Sequence, residues 1–244
     1  MKYLVPPLFL ALGACVMAPA PAPVAYPPGG ATAAPLSATD QALDPQSAAR
    51  NFGAVVARME PVAERECRAR RVNVNCDFRI VVDTTPGAEP NAFQAQDPSG
   101  RPIIAFTVRL IGLARNQDEL AFVMGHEASH YILAHMVRQE RTAMTGAILT
   151  GVATAALGGD PTTIQQAQQM GASLSARAYS KDFELEADRM GTILAWEAGF
   201  DPLRGAQFFN RLPDPGNDFL GTHPPNAQRM QIVSQTMATI GAAP

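Results

Sequence analysis

The chain has 244 residues, 47% of them hydrophobic and 17% charged, which is enough apolar material to bury a substantial core. Nineteen Lys and Arg against 22 Asp and Glu leave a net charge of -3, which excludes a strongly basic nucleic-acid binder and disfavours a polybasic membrane patch. Three cysteines are too few for a disulfide scaffold or a four-thiolate zinc site. Outside the first 20 positions no run of 18 strongly apolar residues argues for a membrane span.

Residues 1–14 carry one cation, Lys2, ahead of an apolar run too short to span a bilayer, the pattern of a secretory signal. The run ends in Leu12-Gly13-Ala14-Cys15, which resembles the lipobox of bacterial lipoproteins. That resemblance implies cleavage before Cys15, acylation of Cys15, and, with Val16 rather than Asp next, a lipid anchor on the periplasmic face of the outer membrane. An ordinary signal peptide with an incidental Cys, giving a soluble periplasmic protein, is the other reading. Residues 15–45 then hold the acylated Cys and a Pro/Ala-rich spacer that cannot fold on its own. An oxidising compartment makes Cys67 and Cys76, nine positions apart, candidates for a disulfide; no neighbours support metal binding or a reactive thiol.

The folded domain is expected over 46–244. Apolar residues at helical spacing from Gln46 to Arg71 predict one helix, with Pro61 a candidate kink. Asp77–Asp83, Asn91–Gln96 and Pro102–Val108 read as short strands, the last two flanking the Asp97-Pro98-Ser99-Gly100 turn. Asn116 can cap a helix running to Val137. A second long helix runs from about Thr162 to Ala198 and stops at Gly199; short helices at 202–211 and 224–240 end the chain. The pattern is an α+β, mainly helical domain.

The chemistry concentrates in Gly125-His126-Glu127-Ala128-Ser129-His130. Two of the four histidines stand four apart, so on a helix both imidazoles share a face and can reach one zinc ion, Zn2+. Glu127, beside the first ligand, can turn its carboxylate toward a metal-bound water instead of the metal. A catalytic zinc needs a third protein ligand and an open fourth position. Glu184 and Asp188, also four apart, can supply a ligand and a hydrogen-bond partner for a ligand histidine. Glu186 is the rival, on the opposite side of that helix. His135 falls nine positions after His126, half a turn off the metal face, and reads as structural.

Four strings then occur in a familiar order: NAF (Asn91–Phe93), DELAFVMGHEASH (Asp118–His130), YSKDFELEADRMG (Tyr179–Gly191) and THPPNAQRM (Thr222–Met230). Together they resemble the HtpX/BepA-like zinc metallopeptidases, the family that includes the CAAX prenyl proteases. The resemblance implies a zincin-like domain with His126, His130 and Glu184 as zinc ligands, Glu127 as general base and Asp188 behind a ligand. It also implies an active-site cleft crossed by an edge strand near Ile103–Val108. His223 would approach the metal, either aiding catalysis or plugging the site; alternatively, His223 and Arg229 only fasten the last helix.

The function implied is a zinc endopeptidase that binds extended polypeptide and clears misfolded or unassembled envelope proteins, with a possible outer-membrane assembly partner and no nucleic acid. The alternative is a chaperone-like binding module whose zinc site is plugged or weakly active; an aminopeptidase lacks an identifiable acidic subsite. The charge-free stretch Thr142–Gly159 reads either as a mobile lid or hairpin touching lipid or an outer-membrane partner, or as a small-residue helix packed on the core.

Overall fold

The computed structural model describes residues 44–178, 180–211 and 224–241. The leader, Cys15, the linker up to residue 43, Tyr179 and His223 lie outside the described residues. Among those described, no helix is long and apolar enough to cross a membrane.

The first helix, α1 (Pro45–Arg70), starts where Asp44 accepts hydrogen bonds from the Gln46 and Ser47 backbones, with Pro45 in the first turn. It runs through Pro61 and buries Phe52, Val55, Met59, Val62, Ala63 and Cys67, the stripe its apolar spacing predicts. At its end a disulfide joins Cys67 to Cys76 and ties the helix to the segment entering the sheet.

The sheet has three strands, β1 (Arg79–Asp83), β2 (Ala92–Gln96) and β3 (Pro102–Thr107), in the order β1-β3-β2. β1 runs parallel to β3 and β2 antiparallel to it. The β2–β3 hairpin is held by Asp97, whose side chain accepts from the Ser99 and Arg101 backbones, with Gly100 at φ 81°. β3 is therefore the middle strand, and its residues Ile104, Ala105, Phe106 and Thr107 are buried on both faces. This corrects the edge strand expected near Ile103–Val108: the edge facing the cleft is β2. The apolar run of β3 is itself the mark of a central strand. The strand also ends one residue early, because Thr107 accepts from Leu110 N and caps the short helix α2 (Val108–Leu113).

Helix α3 (Gln117–Ile132) lies between α1 and the sheet, capped by Asn116, which accepts from Glu119 N. Phe78, Phe106, Met59, Leu120, Met124 and Ala128 fill the space between them. The helix expected to reach Val137 stops at Ile132. Ala134 takes a left-handed conformation (φ 56°, ψ 38°), and α4 (His135–Ala156) sets off afresh. No glycine or proline marks this break, so hydrophobic periodicity runs straight through it.

α4 and α5 (Pro161–Ala178) form a hairpin whose helices approach closely at small residues: a Cβ on Gly146 would stand 2.3 Å from the Gly171 carbonyl, and Thr150 donates to Ala167 O. The stretch 142–159 thus packs chiefly on its own partner helix and not on the core, with Met144, Ile148, Leu149 and Val152 exposed. The long helix expected from Thr162 to Ala198 is described as α5 and α6 (Ser180–Glu197), with Tyr179 between them outside the described residues. α6 crosses α3 at two glycines: a Cβ on Gly125 would lie 2.8 Å from the Gly191 carbonyl. After Gly199, α7 (Pro202–Gly205), a 3-10 turn (Ala206–Arg211) and α8 (Asn226–Gly241) close the far side around Phe122, Phe209 and Val233.

Candidate active site

The α3–α6 crossing brings the two motifs together. His126 and His130 project from one face of α3, and their Nε2 atoms lie 3.1 Å apart. From α6, Glu184 places Oε2 3.4 Å from His126 Nε2 and Oε1 3.5 Å from His130 Nε2. One donor atom from each of the three falls within 4.8 Å of the others. Two imidazoles and a carboxylate aiming lone pairs at one point repel each other unless a cation or protons sit between them, so the donor set fits a bound divalent metal. Glu186, the rival carboxylate, is turned away and pairs with Arg138 and His135.

Asp188 is completely buried and accepts from His126, Nδ1 to Oδ1 at 2.8 Å. Its carboxylate is clamped by Arg229 of α8, with Nε to Oδ2 and Nη2 to Oδ1 both at 2.7 Å, and the guanidinium lies over the Phe209 ring at 3.7 Å. Arg229, read from sequence only as a fastener of the last helix, thus acts one step behind the histidine. Burial opposes charge on the His126 ring, but the hydrogen bonds from Asp188 and Glu184 outweigh it and raise its pKa to about 10. Burial lowers that of His130 to about 3, helped by the neighbouring His126. A proton and a metal ion therefore compete for the same His126 nitrogen.

Glu127 points into a cleft of about 420 Å³ whose near wall is β2, from Asn91 to Gln94. Desolvation pushes its carboxyl up to about 7, against the pull of His126, with the Gln94 backbone amide a smaller influence holding it down. The strand edge and the carboxylate thus line the same cleft. Among the described residues β2 pairs only with β3, so its other edge borders the cleft. Apolar walls come from Leu110, Phe122, Val123 and the Phe208-Phe209 pair.

His135 was read from sequence as half a turn away from the metal face. Because α3 ends before it, its ring comes back against His130, Nδ1 to Nδ1 at 3.0 Å, and stacks on Phe183. Its placement follows from the backbone at Ala134, which residue spacing on one helix does not reveal.

Such a convergence on an α+β, mainly helical domain with a small sheet at the cleft is that of a zincin-like metallopeptidase. The profile described as Peptidase family M48 matches residues 52–237, and the chain belongs to that family. It is 30% identical over 142 residues to the mitochondrial metalloendopeptidase OMA1 of Arabidopsis thaliana, covering 57% of this chain and 28% of that protein. It is 31% identical over 124 residues to the beta-barrel assembly-enhancing protease of Escherichia coli K12, covering 45% of this chain and 25% of that one. Similarity to the metalloprotease LoiP of the same organism is 29% over 197 residues, covering 73% of this chain and 78% of LoiP. The match spans about a quarter of the length of the first two relatives.

Proposed function

We propose that the protein is a zinc endopeptidase that hydrolyses extended segments of misfolded or unassembled envelope polypeptides. The single observation that supports this most is that the free edge of β2, through Ala92–Gln94, lines the same cleft as Glu127 and the His126, His130 and Glu184 cluster. A substrate strand added to that edge would pass its carbonyls directly over the histidines, and backbone pairing would make binding tolerant of sequence.

In this reading His126, His130 and Glu184, which line the cleft, would hold the metal. When bound, zinc supplies a Lewis acid that polarises the scissile carbonyl and acidifies water. Glu127 takes the proton from the attacking water and returns it to the leaving amine; its raised proton affinity suits both halves of that task. Asp188 and Arg229 keep His126 in the tautomer that offers Nε2 to the metal. His223 either aids the reaction or plugs the open position. The Cys15 anchor would hold the domain at the periplasmic face of the outer membrane; the name of the beta-barrel assembly-enhancing relatives suggests an assembly partner there.

The test is hydrolysis of an unfolded model protein by the full chain, with bound zinc quantified, for wild type, Glu127→Gln and His223→Ala. Cleavage by wild type, with Glu127→Gln retaining zinc and losing about 10²–10⁴-fold in rate, supports the reading. A gain in His223→Ala identifies a plug and a loss identifies an aid. Zinc binding without cleavage in every variant overturns the peptidase mechanism in favour of a binding module.

A further inference from the structure

Each histidine of the proposed metal site is backed by a different chain of groups. Behind His126 stands Asp188, held by Arg229. Behind His130 stands a third imidazole: His135 Nδ1 is 3.0 Å from His130 Nδ1, and His135 Nε2 is 3.3 Å from Glu186 Oε2. Arg138 completes this second chain with paired contacts to the Glu186 carboxylate.

We propose that His135 is a positioning residue for the metal site, fixing the ring orientation and tautomer of His130 by accepting its Nδ1 proton and passing the constraint to Glu186. The inference rests on the reading of His130 as a metal ligand. The proton bookkeeping allows one arrangement. A metal takes the lone pair on His130 Nε2, so the proton sits on His130 Nδ1 and points at His135. His135 must then accept through Nδ1, which puts its own proton on Nε2, facing the carboxylate of Glu186. Each link joins one donor to one acceptor, and the chain ends on an anion already paired with a cation.

The setting of His135 suits such a role. It is 3% exposed, and its ring lies stacked on Phe183, 4.8 Å between centroids and 14° between planes. Phe183 immediately precedes Glu184 on α6, so the same stack fixes His135 relative to the third ligand. The residue before His135, Ala134, holds a left-handed conformation that a side chain adopts only at a cost. That conformation ends α3 and returns the His135 ring to His130.

The experiment measures zinc affinity of the full chain by chelator competition, alongside thermal melting of the metal-free protein. His135→Phe keeps the ring and its stack on Phe183 but offers no acceptor. His135→Asn keeps an oxygen near the Nδ1 position. The expected result is a loss of roughly 10- to 100-fold in zinc affinity for His135→Phe, recovery to within about threefold of wild type for His135→Asn, and a loss of roughly threefold or more for Glu186→Ala. A purely structural role would change the melting of the metal-free protein and leave zinc affinity at the wild-type value, which overturns the proposal. So does an equal affinity loss in the Phe and Asn variants. Should His135→Phe fail to fold, wild-type affinity in Glu186→Ala, whose carboxylate is partly exposed, overturns it equally. His130→Ala separates the two levels: full zinc binding there sinks the ligand reading itself, whereas its loss beside an unaffected His135→Phe sinks only the relay.

Discussion

Gly191 on α6 faces His126 on α3 so closely that a Cβ at position 191 would stand 2.8 Å from the His126 backbone nitrogen. Glu184, Asp188 and Gly191 follow one another at four and three residues and therefore share a face of α6. The closest point of the crossing thus lies on the same stripe as the two carboxylates that reach His126.

Gly191→Ala is accordingly expected to push the helices apart. The backbone atoms it would meet cannot rotate away, so a cost of about 1–3 kcal/mol in unfolding free energy is expected. Zinc affinity should fall with it, because Glu184 and Asp188 retreat from His126 together. Denaturant unfolding of the metal-free chain and a zinc titration read the two effects separately. Gly53, where a Cβ meets nothing within 4 Å, is the control: Gly53→Ala in α1 should not destabilise.

Asp188→Ala leaves the Arg229 guanidinium in a buried position without its carboxylate. Removing one partner of such a pair costs about 3–5 kcal/mol. It also releases the Nδ1 side of His126, and zinc binding should weaken by roughly 10- to 100-fold. A chemical denaturation series gives the first figure and chelator competition the second. Wild-type zinc affinity in Asp188→Ala would show that His126 needs no such support.

The break between α3 and α4 makes a discriminating pair of substitutions at Ala134, φ 56°. Ala134→Val adds β-branching in a left-handed conformation and should lower the melting temperature; Ala134→Gly should not, since glycine enters that region without steric cost. Circular-dichroism melts of the two proteins side by side decide it, and a valine variant as stable as wild type would contradict the backbone described.

The disulfide closes a short loop between the end of α1 and the approach to β1. Replacing Cys67 and Cys76 together by Ser should cost roughly 2.5 kcal/mol on the chain-entropy account. The loss should vanish when wild type and variant are compared under reducing conditions. An unchanged difference between them there would mean that packing at the buried Cys67, and not the cross-link, carries the effect.

Much of the site was legible in the chain itself. Four-residue spacing on a helix is local geometry, so His126 with His130 and Glu184 with Asp188 were each assignable to a shared face before any fold was known. The apolar stripe of α1 and the cap at Asn116 are likewise short-range, whereas Asp44 as a cap and Thr107 as the cap that ends β3 emerge only from the backbone.

What the sequence determined alone was which residues travel together: a histidine pair beside a carboxylate, a pair of acids on another helix, two cysteines, and a run of apolar residues in one short strand. Tertiary structure decided what those groups meet. It made β2 the strand at the cleft, because strand order depends on pairing between distant segments. It turned Glu184 toward the histidines and Glu186 toward Arg138, because the glycine crossing selects which face of α6 looks at α3. It placed Arg229 on Asp188 from 41 residues away and folded His135 back onto His130 through one left-handed residue. Periodicity reports the face of a helix, whereas only packing against the rest of the chain selects the partner for that face.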